Sequence, residues 1–121
     1  MNNHEIASVF ERIANLMEIR GDVIYKILAY RRAAENISEL GRDLTRIQEE
    51  EKLTDIPGIG QAISEKIEEL LSTGSLEFLE KLEAEVPPSL IELLEVPGLG
   101  PKRVSLFWQK AGVTNLDELE T

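Results

Sequence analysis

The sequence predicts an all-α protein, a short bundle of helices that includes two matching hairpin turns. Apolar residues recur at spacings of three and four through most of the 121 residues, which is the period of an amphipathic helix. No segment alternates apolar and polar residues regularly, so the pattern predicts no strand. A pentapeptide of the form apolar-Pro-Gly-apolar-Gly occurs twice, as Ile56–Gly60 and Val96–Gly100, and each copy precedes a helical pattern. Together these observations favour helices packed on helices.

The composition bounds what the chain can do. Its 42% hydrophobic residues suffice for the core of one domain, or of one small domain with the start of another. The absence of cysteine excludes disulfides, thiolate metal sites and cysteine nucleophiles. No long apolar run and no basic-then-apolar leader is present, so we expect no membrane span and a cytoplasmic location. A net charge of −10 argues against a general nucleic-acid binder. Basic side chains are nevertheless concentrated in two places, at Arg20, Lys26, Arg31 and Arg32 and again at Lys102 and Arg103.

Two long helices are predicted first. Apolar spacing predicts a helix over residues 3–19, which Gly21 would end, with Gly21-Asp22 also able to cap the next helix. The second helix is expected over about 23–40. His4 precedes the first stripe, and we expect it in solvent because no cysteine or second histidine could complete a metal site. The apolar stripes are Ile6, Val9, Phe10, Ile13, Leu16 and Met17, then Ile27, Tyr30, Ala34 and Ile37.

Lys26, Tyr30 and Arg31 fall close together around the second helix. One interpretation is a solvated helix edge beside a tyrosine in the core, which is what charge on a helix usually means. The other is a phosphate pocket with a phenol hydroxyl beside it. Spacing alone leaves both interpretations open.

Two shorter helices flank the first hairpin. The third holds Leu44 and Ile47 and runs into the acidic residues 49–51, which we expect on a solvated face. The fourth begins near Gln61 and stops at Thr73-Gly74-Ser75, whose serine is expected to cap the next helix. The core residues of the fourth helix are Ile63, Ile67, Leu70 and Leu71.

Lys66 lies on the flank of the fourth helix, one turn from Ala62 and from Glu69. The ordinary interpretation is an ion pair with Glu69, worth roughly a few tenths of a kcal/mol. The functional interpretation is an amine nucleophile, which must lose its proton and is favoured by burial or by cationic neighbours. Spacing alone favours the ion pair, because Glu65 and Glu69 would hold the ammonium form.

Three further helices are predicted after the fourth. The fifth covers about 76–85, and Pro87-Pro88 ends it, starts a short sixth helix and marks the best domain boundary. The seventh starts at Pro101 and closes at Gly112, and a capping box follows over 114–117. Their stripes are Leu76, Leu79 and Leu82, then Leu90, Leu93 and Leu94, then Val104, Phe107, Trp108 and Ala111; the position of Trp108 on a stripe favours the core over a base-stacking role.

Each pentapeptide has the composition of a tight turn. Proline sets φ at about −65° and glycine admits backbone angles that other residues avoid. The apolar residue between the glycines can pin the hairpin to the core, which leaves backbone N–H groups at the tip, just ahead of a helix N-terminus. Two such copies indicate the helix-hairpin-helix motif, which grips nucleic-acid phosphates without reading sequence. The residues expected at phosphates are Gly58, Gly60, Gly98, Gly100, Lys102 and Arg103.

The chain resembles the N-terminal region of a family X DNA polymerase, similar to the small lyase domain of polymerase beta and closer still to bacterial members. The resemblance covers nearly the whole chain, and its carriers are residues 26–34, 56–71, 94–102 and 115–119. It implies a lyase-type domain with the first hairpin over 1–85. Residues 86–121 would hold the second hairpin and the start of the thumb region, cut short before the polymerase carboxylates.

The resemblance also implies roles for particular residues. In that family the lyase domain binds the 5′-phosphate side of a DNA gap, and the second hairpin binds the primer side. Lys66 would form a Schiff base with the aldehyde of a 5′-deoxyribose phosphate, while Lys26 and Tyr30 would bind the phosphate. A monovalent cation, K⁺ or Na⁺, would be held by backbone carbonyls of Thr54, Ile56 and Ile59, and by those of Leu94, Val96 and Leu99.

The chain departs from the family around this pocket. Polymerase beta has a second lysine where this chain has Ala62 and a histidine where it has Tyr25. Bacterial members usually have Asn-Pro-Phe in place of Val23-Ile24-Tyr25, and a basic residue is common in place of Leu28. Each difference leaves fewer phosphate-binding groups in the pocket, so we expect slower lyase chemistry than in a lysine-rich relative.

Three functions are consistent with the sequence. The first is the DNA-binding part of a repair polymerase of the bacterial nucleoid, which recognises gapped or nicked DNA with a 5′-phosphate and acts with the remaining polymerase domains, with or without lyase activity. The second is a double helix-hairpin-helix module that binds DNA without chemistry. The third is a protein-interaction module in which the acidic helices form the functional surface.

Overall fold

A computed structural model describes residues 1–94, 96–106 and 108 of the chain. Within this part every regular element is helical and no strand occurs, which confirms the all-α prediction. The predicted features at Phe107, Ala111, Gly112 and residues 114–119 lie outside the described residues. The elements are α1 (Asn3–Arg20), α2 (Ile24–Ser38), α3 (Leu44–Glu50), a 3₁₀ turn (Leu53–Asp55), α4 (Gln61–Thr73), α5 (Glu77–Glu85), α6 (Pro88–Leu93) and α7 (Pro101–Leu106).

Helix α1 is the centre of the core. Its predicted stripe is buried as expected, apart from the partly buried Val9, and it packs most extensively against α2. It also contacts α5 and α7, where Val104 is fully buried and the Ser105 hydroxyl donates to the carbonyl of Ile19 at 3.0 Å. Residues on both sides of the predicted boundary at 85/86 therefore pack on one helix, and the boundary itself stays a prediction.

The predicted turn residues are confirmed in part. Gly21 ends α1 in the left-handed conformation with φ 88°, and Gly74 ends α4 in the same way with φ 77°. Asp22 does not cap α2, because the N-cap of α2 is Val23, without a side-chain cap. The Asp22 carboxylate instead accepts a hydrogen bond from Arg20 Nε at 2.7 Å.

The start of α5 also differs from the prediction. Ser75 is not its N-cap, because Leu76 occupies that position and has no side-chain cap. Instead the Glu69 carboxylate, one turn before the end of α4, accepts a hydrogen bond from the backbone N–H of Glu77 at 2.8 Å. The tight turn after α4 brings this acidic side chain to the N-terminal end of α5, where a negative charge is favourable.

The remaining predictions on the helices agree with the structure in part, since the predicted apolar residues Leu71, Leu79 and Leu94 are only partly buried. His4 is exposed, and Trp108 is partly buried against the core. The acidic residues 49–51 are exposed, although Arg42 pairs with both Glu50 and Glu51. Among the described residues, no helix is both long enough and apolar enough to cross a lipid bilayer.

Candidate functional site

The two hairpins have the same backbone geometry. In the first, the Ile59 N–H donates to the Ile56 carbonyl at 3.1 Å, and in the second the Leu99 N–H donates to the Val96 carbonyl at 3.0 Å. The third residue of each turn has a positive φ, 82° at Gly58 and 84° at Gly98. Proline followed by such a glycine is the signature of a type II turn. The repeat seen in the sequence is therefore a repeat of structure.

The first hairpin leaves a helix N-terminus open. Ile59 is only 4% exposed and pins the turn to the core, as predicted, whereas Leu99 of the second hairpin is partly buried. Gly60 is the N-cap of α4 and no side chain caps this helix. The first N–H groups of α4 therefore lack the acceptor that a capping side chain would supply, and the helix dipole favours an anion there.

A cleft of about 550 Å³ brings most of the predicted first-hairpin residues together. Lys26, Tyr30, Gly58 and Gly60 all line it. The exposed Lys26 side chain has no carboxylate within 4.0 Å among the described residues. An ammonium group, free backbone amides and a phenol hydroxyl therefore surround one opening.

Arg31 does not belong to this cleft, and the expectation that it lies with Lys26 and Tyr30 is wrong. Its guanidinium lies against α1, where it pairs with Glu11 at 2.7 Å and with Glu18 and donates to Asn15 at 3.0 Å. Successive residues of an α-helix differ by about 100° in direction, so Tyr30 and its neighbour project to different sides. Arg31 joins α2 to α1.

Some cations belong to structural ion pairs, whereas others near the hairpins are unpaired. Arg20 lines the cleft but is bound by Asp22 and Glu85, and this pairing raises the already high pKa of its guanidinium. In the described part of the chain, the exposed cations near the hairpins have no carboxylate within 4.0 Å. These are Lys26 and Arg32 at the first hairpin, and Lys102 and Arg103 at the second, where Arg103 Nη1 lies 3.5 Å from the Gly98 carbonyl.

Tyr30 is the middle ring of an aromatic stack. Its ring lies 6.0 Å from that of Phe10 and 5.9 Å from that of Phe78, measured between centroids. Burial in this stack raises the pKa of the Tyr30 phenol, so the hydroxyl stays protonated at neutral pH. Phe78 was not predicted as a site residue, because its helix reads as a leucine stripe with acidic flanks and the stacking partner is 48 residues away.

Lys66 lies beside this stack. Its Nζ is 4.7 Å from the centroid of Phe78 and 6.0 Å from that of Tyr30. It lines a second, smaller cleft of about 280 Å³, and Ala62 and Phe78 line both clefts. The predicted nucleophile and the phosphate-side lysine therefore line neighbouring clefts that share Ala62 and Phe78.

The ordinary interpretation of Lys66 as half of an ion pair is also wrong. Within the described residues no carboxylate lies within 4.0 Å of its Nζ. Glu69 is used to cap α5, and Glu65 accepts a hydrogen bond from Gln61 at 3.3 Å. Both neighbouring acids have other partners, and the contacts of the ammonium are aromatic.

Asn36 and Arg32 contact the first hairpin from α2. Asn36 Nδ2 donates to the carbonyl of Pro57 at 2.7 Å. A Cβ placed on Gly58 would lie 2.5 Å from Asn36 Nδ2 and 3.5 Å from Arg32 Cγ, whereas one on Gly98 would meet nothing within 4 Å. No sequence pattern links Asn36 to a turn 21 residues later, so only the packing of α2 shows this contact.

The carbonyls predicted to hold a cation have a common arrangement in both hairpins. The middle one of each set, at Ile56 and at Val96, accepts the turn hydrogen bond. The outer carbonyls accept none from the described residues; they belong to Thr54, Ile59, Leu94 and Leu99. The described part of the chain holds no cluster of His, Asp or Glu suited to a metal ion. Free carbonyl oxygens are suitable ligands for a hard cation.

Comparison with known protein families identifies the two hairpins. A family model described as a helix-hairpin-helix domain matches residues 1–76. A second, described as a SAM-like helix-hairpin-helix tandem, matches residues 50–105 and so includes both turns.

Several curated proteins are similar to almost the whole chain. DNA polymerase/3′-5′ exonuclease PolX of Bacillus subtilis (strain 168) is 33% identical over 99% of this chain and 20% of its own length. DNA polymerase lambda of Arabidopsis thaliana is 30% identical over 98% of this chain and 22% of its own length. DNA polymerase lambda of Rattus norvegicus is 27% identical over 97% of this chain and 19% of its own length. The chain spans about a fifth of the length of these relatives.

Proposed function

Because the chain belongs to the helix-hairpin-helix domain family, and matches the N-terminal part of family X DNA polymerases over nearly its whole length, we propose that it binds DNA through backbone phosphates. In the full-length protein it would act beside the polymerase domains. Its preferred ligand would be a gap or nick with a 5′-phosphate, and binding would not depend on base sequence.

The observation that carries this proposal is the cleft at the first hairpin. It combines the open N-terminus of the 13-residue helix α4 with the ammonium of Lys26 and with Gly58 and Gly60. Backbone amides at a helix N-terminus together with a lysine suit a doubly charged terminal phosphate better than a neutral ligand. Arg20 and Arg31 are neutralised by acidic partners. The unpaired cations near the hairpins therefore remain available to a phosphate.

An apolar surface lies beside this cleft. The side chains of Val23, Ile24 and Tyr25 start α2 next to Lys26, and they are 50%, 62% and 67% exposed. An exposed tyrosine ring is suited to stack on an unpaired base, and the two aliphatic side chains are suited to cover it. We propose that this surface contacts the base that a gap leaves unpaired, while Lys26 and the hairpin hold the neighbouring phosphate.

A monovalent cation is the second part of the proposed DNA contact. The outer free carbonyls of each hairpin, together with those of Ile56 and Val96, would bind it. A bound cation would supply positive charge between a backbone carbonyl and a phosphate oxygen, in a chain whose net charge is −10.

We further propose lyase activity at Lys66. Its neutral amine would add to C1′ of a 5′-deoxyribose phosphate and lose water to form an iminium. Loss of the C2′ proton to a base would then expel the 3′ oxygen, and water would hydrolyse the imine to free the lysine. The rings of Phe78 and Tyr30 would hold the side chain in place, and among the described residues no carboxylate lies within 4.0 Å of Nζ to compete with the sugar aldehyde.

A second candidate is a DNA-binding module without chemistry. The observation that favours it is the placement of Lys66 in a cleft other than that of Lys26, with Phe78 lining both. Borohydride trapping on a gapped duplex with a 5′-deoxyribose phosphate end separates the candidates, since only the lyase forms a covalent adduct.

The binding proposal itself is tested by titrating the chain with gapped duplexes that carry either a 5′-phosphate or a 5′-hydroxyl. We expect tighter binding to the phosphorylated gap and little difference between base sequences. Equal affinity for both ends would remove the 5′-phosphate from the proposal. No DNA binding, together with salt-insensitive binding of a protein partner, would instead indicate an interaction module that uses the acidic helices.

A further inference from the structure

We infer that Asn36 is a positioning residue for phosphate binding, because it holds the central peptide of the first hairpin so that the N–H of Gly58 is presented to the ligand. The inference rests on the proposed DNA-binding function. It depends on one contact between α2 and the turn, the 2.7 Å hydrogen bond from Asn36 Nδ2 to the Pro57 carbonyl. Since a carbonyl oxygen only accepts hydrogen bonds, the donor must be the amide nitrogen of Asn36.

The direction of the Pro57 carbonyl determines the direction of the Gly58 amide. The peptide between them is planar, and in a trans peptide the C=O and N–H bonds point in opposite directions. Because Asn36 holds the oxygen, the Gly58 N–H points away from Asn36, in the opposite direction within the peptide plane. There it donates to no other group within the described residues, and Gly58 lines the cleft that contains Lys26.

The alternative to this arrangement is a flipped peptide. Type I and type II turns differ mainly in the orientation of the peptide between their second and third residues, and only the type II form has positive φ at the third. The φ of 82° at Gly58 places the first hairpin in the type II form. A donor on α2 that bonds to the Pro57 oxygen stabilises this form and disfavours the flip, which would point the oxygen at the phosphate.

The same contact disfavours a side chain at residue 58. A Cβ there would lie 2.5 Å from Asn36 Nδ2, so the asparagine would have to move away from the Pro57 carbonyl. The positive φ favours glycine at both turns, and at Gly58 the Asn36 contact adds a second reason.

The second hairpin lacks such a contact. Among the described residues no side chain donates to the Pro97 carbonyl, and a Cβ on Gly98 would meet nothing within 4 Å. The two turns share φ and turn hydrogen bonds but differ in support from a neighbouring helix. Gly98 is thus an internal control for the effect of Asn36 on Gly58.

The test compares Asn36→Ala and Asn36→Leu with the unmodified chain by ¹⁵N–¹H NMR and by titration with a 5′-phosphorylated gapped duplex. Leucine keeps the branched shape of asparagine without a donor, so it separates the hydrogen bond from packing. Ser38→Ala is the matched control, since the Ser38 hydroxyl on the same helix bonds only to carbonyls of α2. We expect both Asn36 variants to move the Gly58 amide resonance in the free protein, to leave Gly98 in place and to weaken phosphate-dependent binding by about fivefold, the loss of one net hydrogen bond.

The outcomes are distinguishable. An unchanged Gly58 resonance, or unchanged affinity in a chain that does bind the duplex, overturns the inference. Displacement of both glycine resonances would assign Asn36 a general structural role and would also overturn it. If the unmodified chain does not bind the duplex, the proposed function fails instead, and the Gly58 resonance of the free variants still decides whether Asn36 orients this peptide.

Discussion

The ammonium of Lys66 lies 4.7 Å from the centroid of the Phe78 ring. A cation this close to an aromatic face is attracted by the ring quadrupole, by roughly 0.5–1 kcal/mol at an exposed site and by more where water is excluded. Phe78 also stacks on Tyr30 at 5.9 Å, so one ring joins the predicted nucleophile to the phosphate-side tyrosine. The position of this ring therefore bears on both proposed activities.

Lys66→Ala should abolish most of the borohydride-trapped adduct and change gap affinity by less than about fivefold, because an exposed charge pair is worth at most roughly 1 kcal/mol. Lys66→Arg should fail equally, since a guanidinium stays protonated and cannot attack. Lys81→Ala is the matched control, because Lys81 lines the same cleft but pairs with Glu77 at 3.3 Å. Adduct formation that survives Lys66→Ala would assign the amine to Lys26 or to the N-terminus.

Phe78→Ala should slow trapping at saturating DNA more than it weakens binding to the phosphorylated gap. Removal of the ring takes away the contact that holds the Lys66 ammonium, while Lys26 and the open amides of α4 keep their places. Phe78→Tyr, which retains the ring, should restore the rate. Single-turnover trapping measures this rate. If Phe78→Ala traps as fast as the unmodified chain, the ring does not position the lysine.

The stability of the chain should fall with rising pH above about pH 10. Burial raises the pKa of the Tyr30 phenol, so above the unfolded-state pKa the folded protein binds more protons than the unfolded chain. The contribution of Tyr30 is therefore fully present below that pKa and is lost as pH rises through the folded value. Urea unfolding at several pH values measures the slope. Tyr30→Phe should reduce it, whereas Tyr25→Phe, at a 67% exposed site, should leave it unchanged.

Gly98→Ala should destabilise the chain by about 1–2 kcal/mol, the cost of a left-handed backbone for a residue with a Cβ. Gly58→Ala should cost about 1 kcal/mol or more beyond that, because its Cβ would meet Asn36 Nδ2. In the Asn36→Ala background the excess at Gly58 should disappear, while the cost at Gly98 should not change. Denaturant unfolding of the single and double variants gives the coupling, and a coupling near zero would mean that the asparagine moves aside without strain.

DNA affinity should be micromolar in order of magnitude and should fall steeply with salt, as expected for phosphate contacts in an acidic chain. Lys26→Ala should reduce the slope of log affinity against log salt by about 1, the loss of one phosphate contact. Replacing both Lys102 and Arg103 by alanine should also reduce this slope, independently of Lys26, because these residues lie at the second hairpin. Tight, sequence-selective binding at high salt would contradict the phosphate-based mode.

Much of the fold could be predicted from the sequence because its determinants are local. The helix stripes depend on a period of 3.6 residues, and the ends of α1 and α4 depend on single glycines with φ of 88° and 77°. The two hairpins depend on a pentapeptide whose proline and glycine restrict the backbone within the turn itself. The resemblance to family X DNA polymerases was visible for the same reason, since contiguous blocks carry it.

What only the tertiary structure decided are contacts between side chains that are distant in the chain. The sequence by itself predicted phosphate contacts for Lys26, Tyr30, Gly58 and Gly60. It did not show that they line one cleft, that Arg31 pairs with acids of α1, or that Lys66 contacts Phe78. The bond from Asn36 to Pro57 spans 21 residues and depends on how α2 lies against the first turn. Such contacts follow from the packing of one helix on another, and no local propensity or spacing encodes which partner a polar side chain finds there.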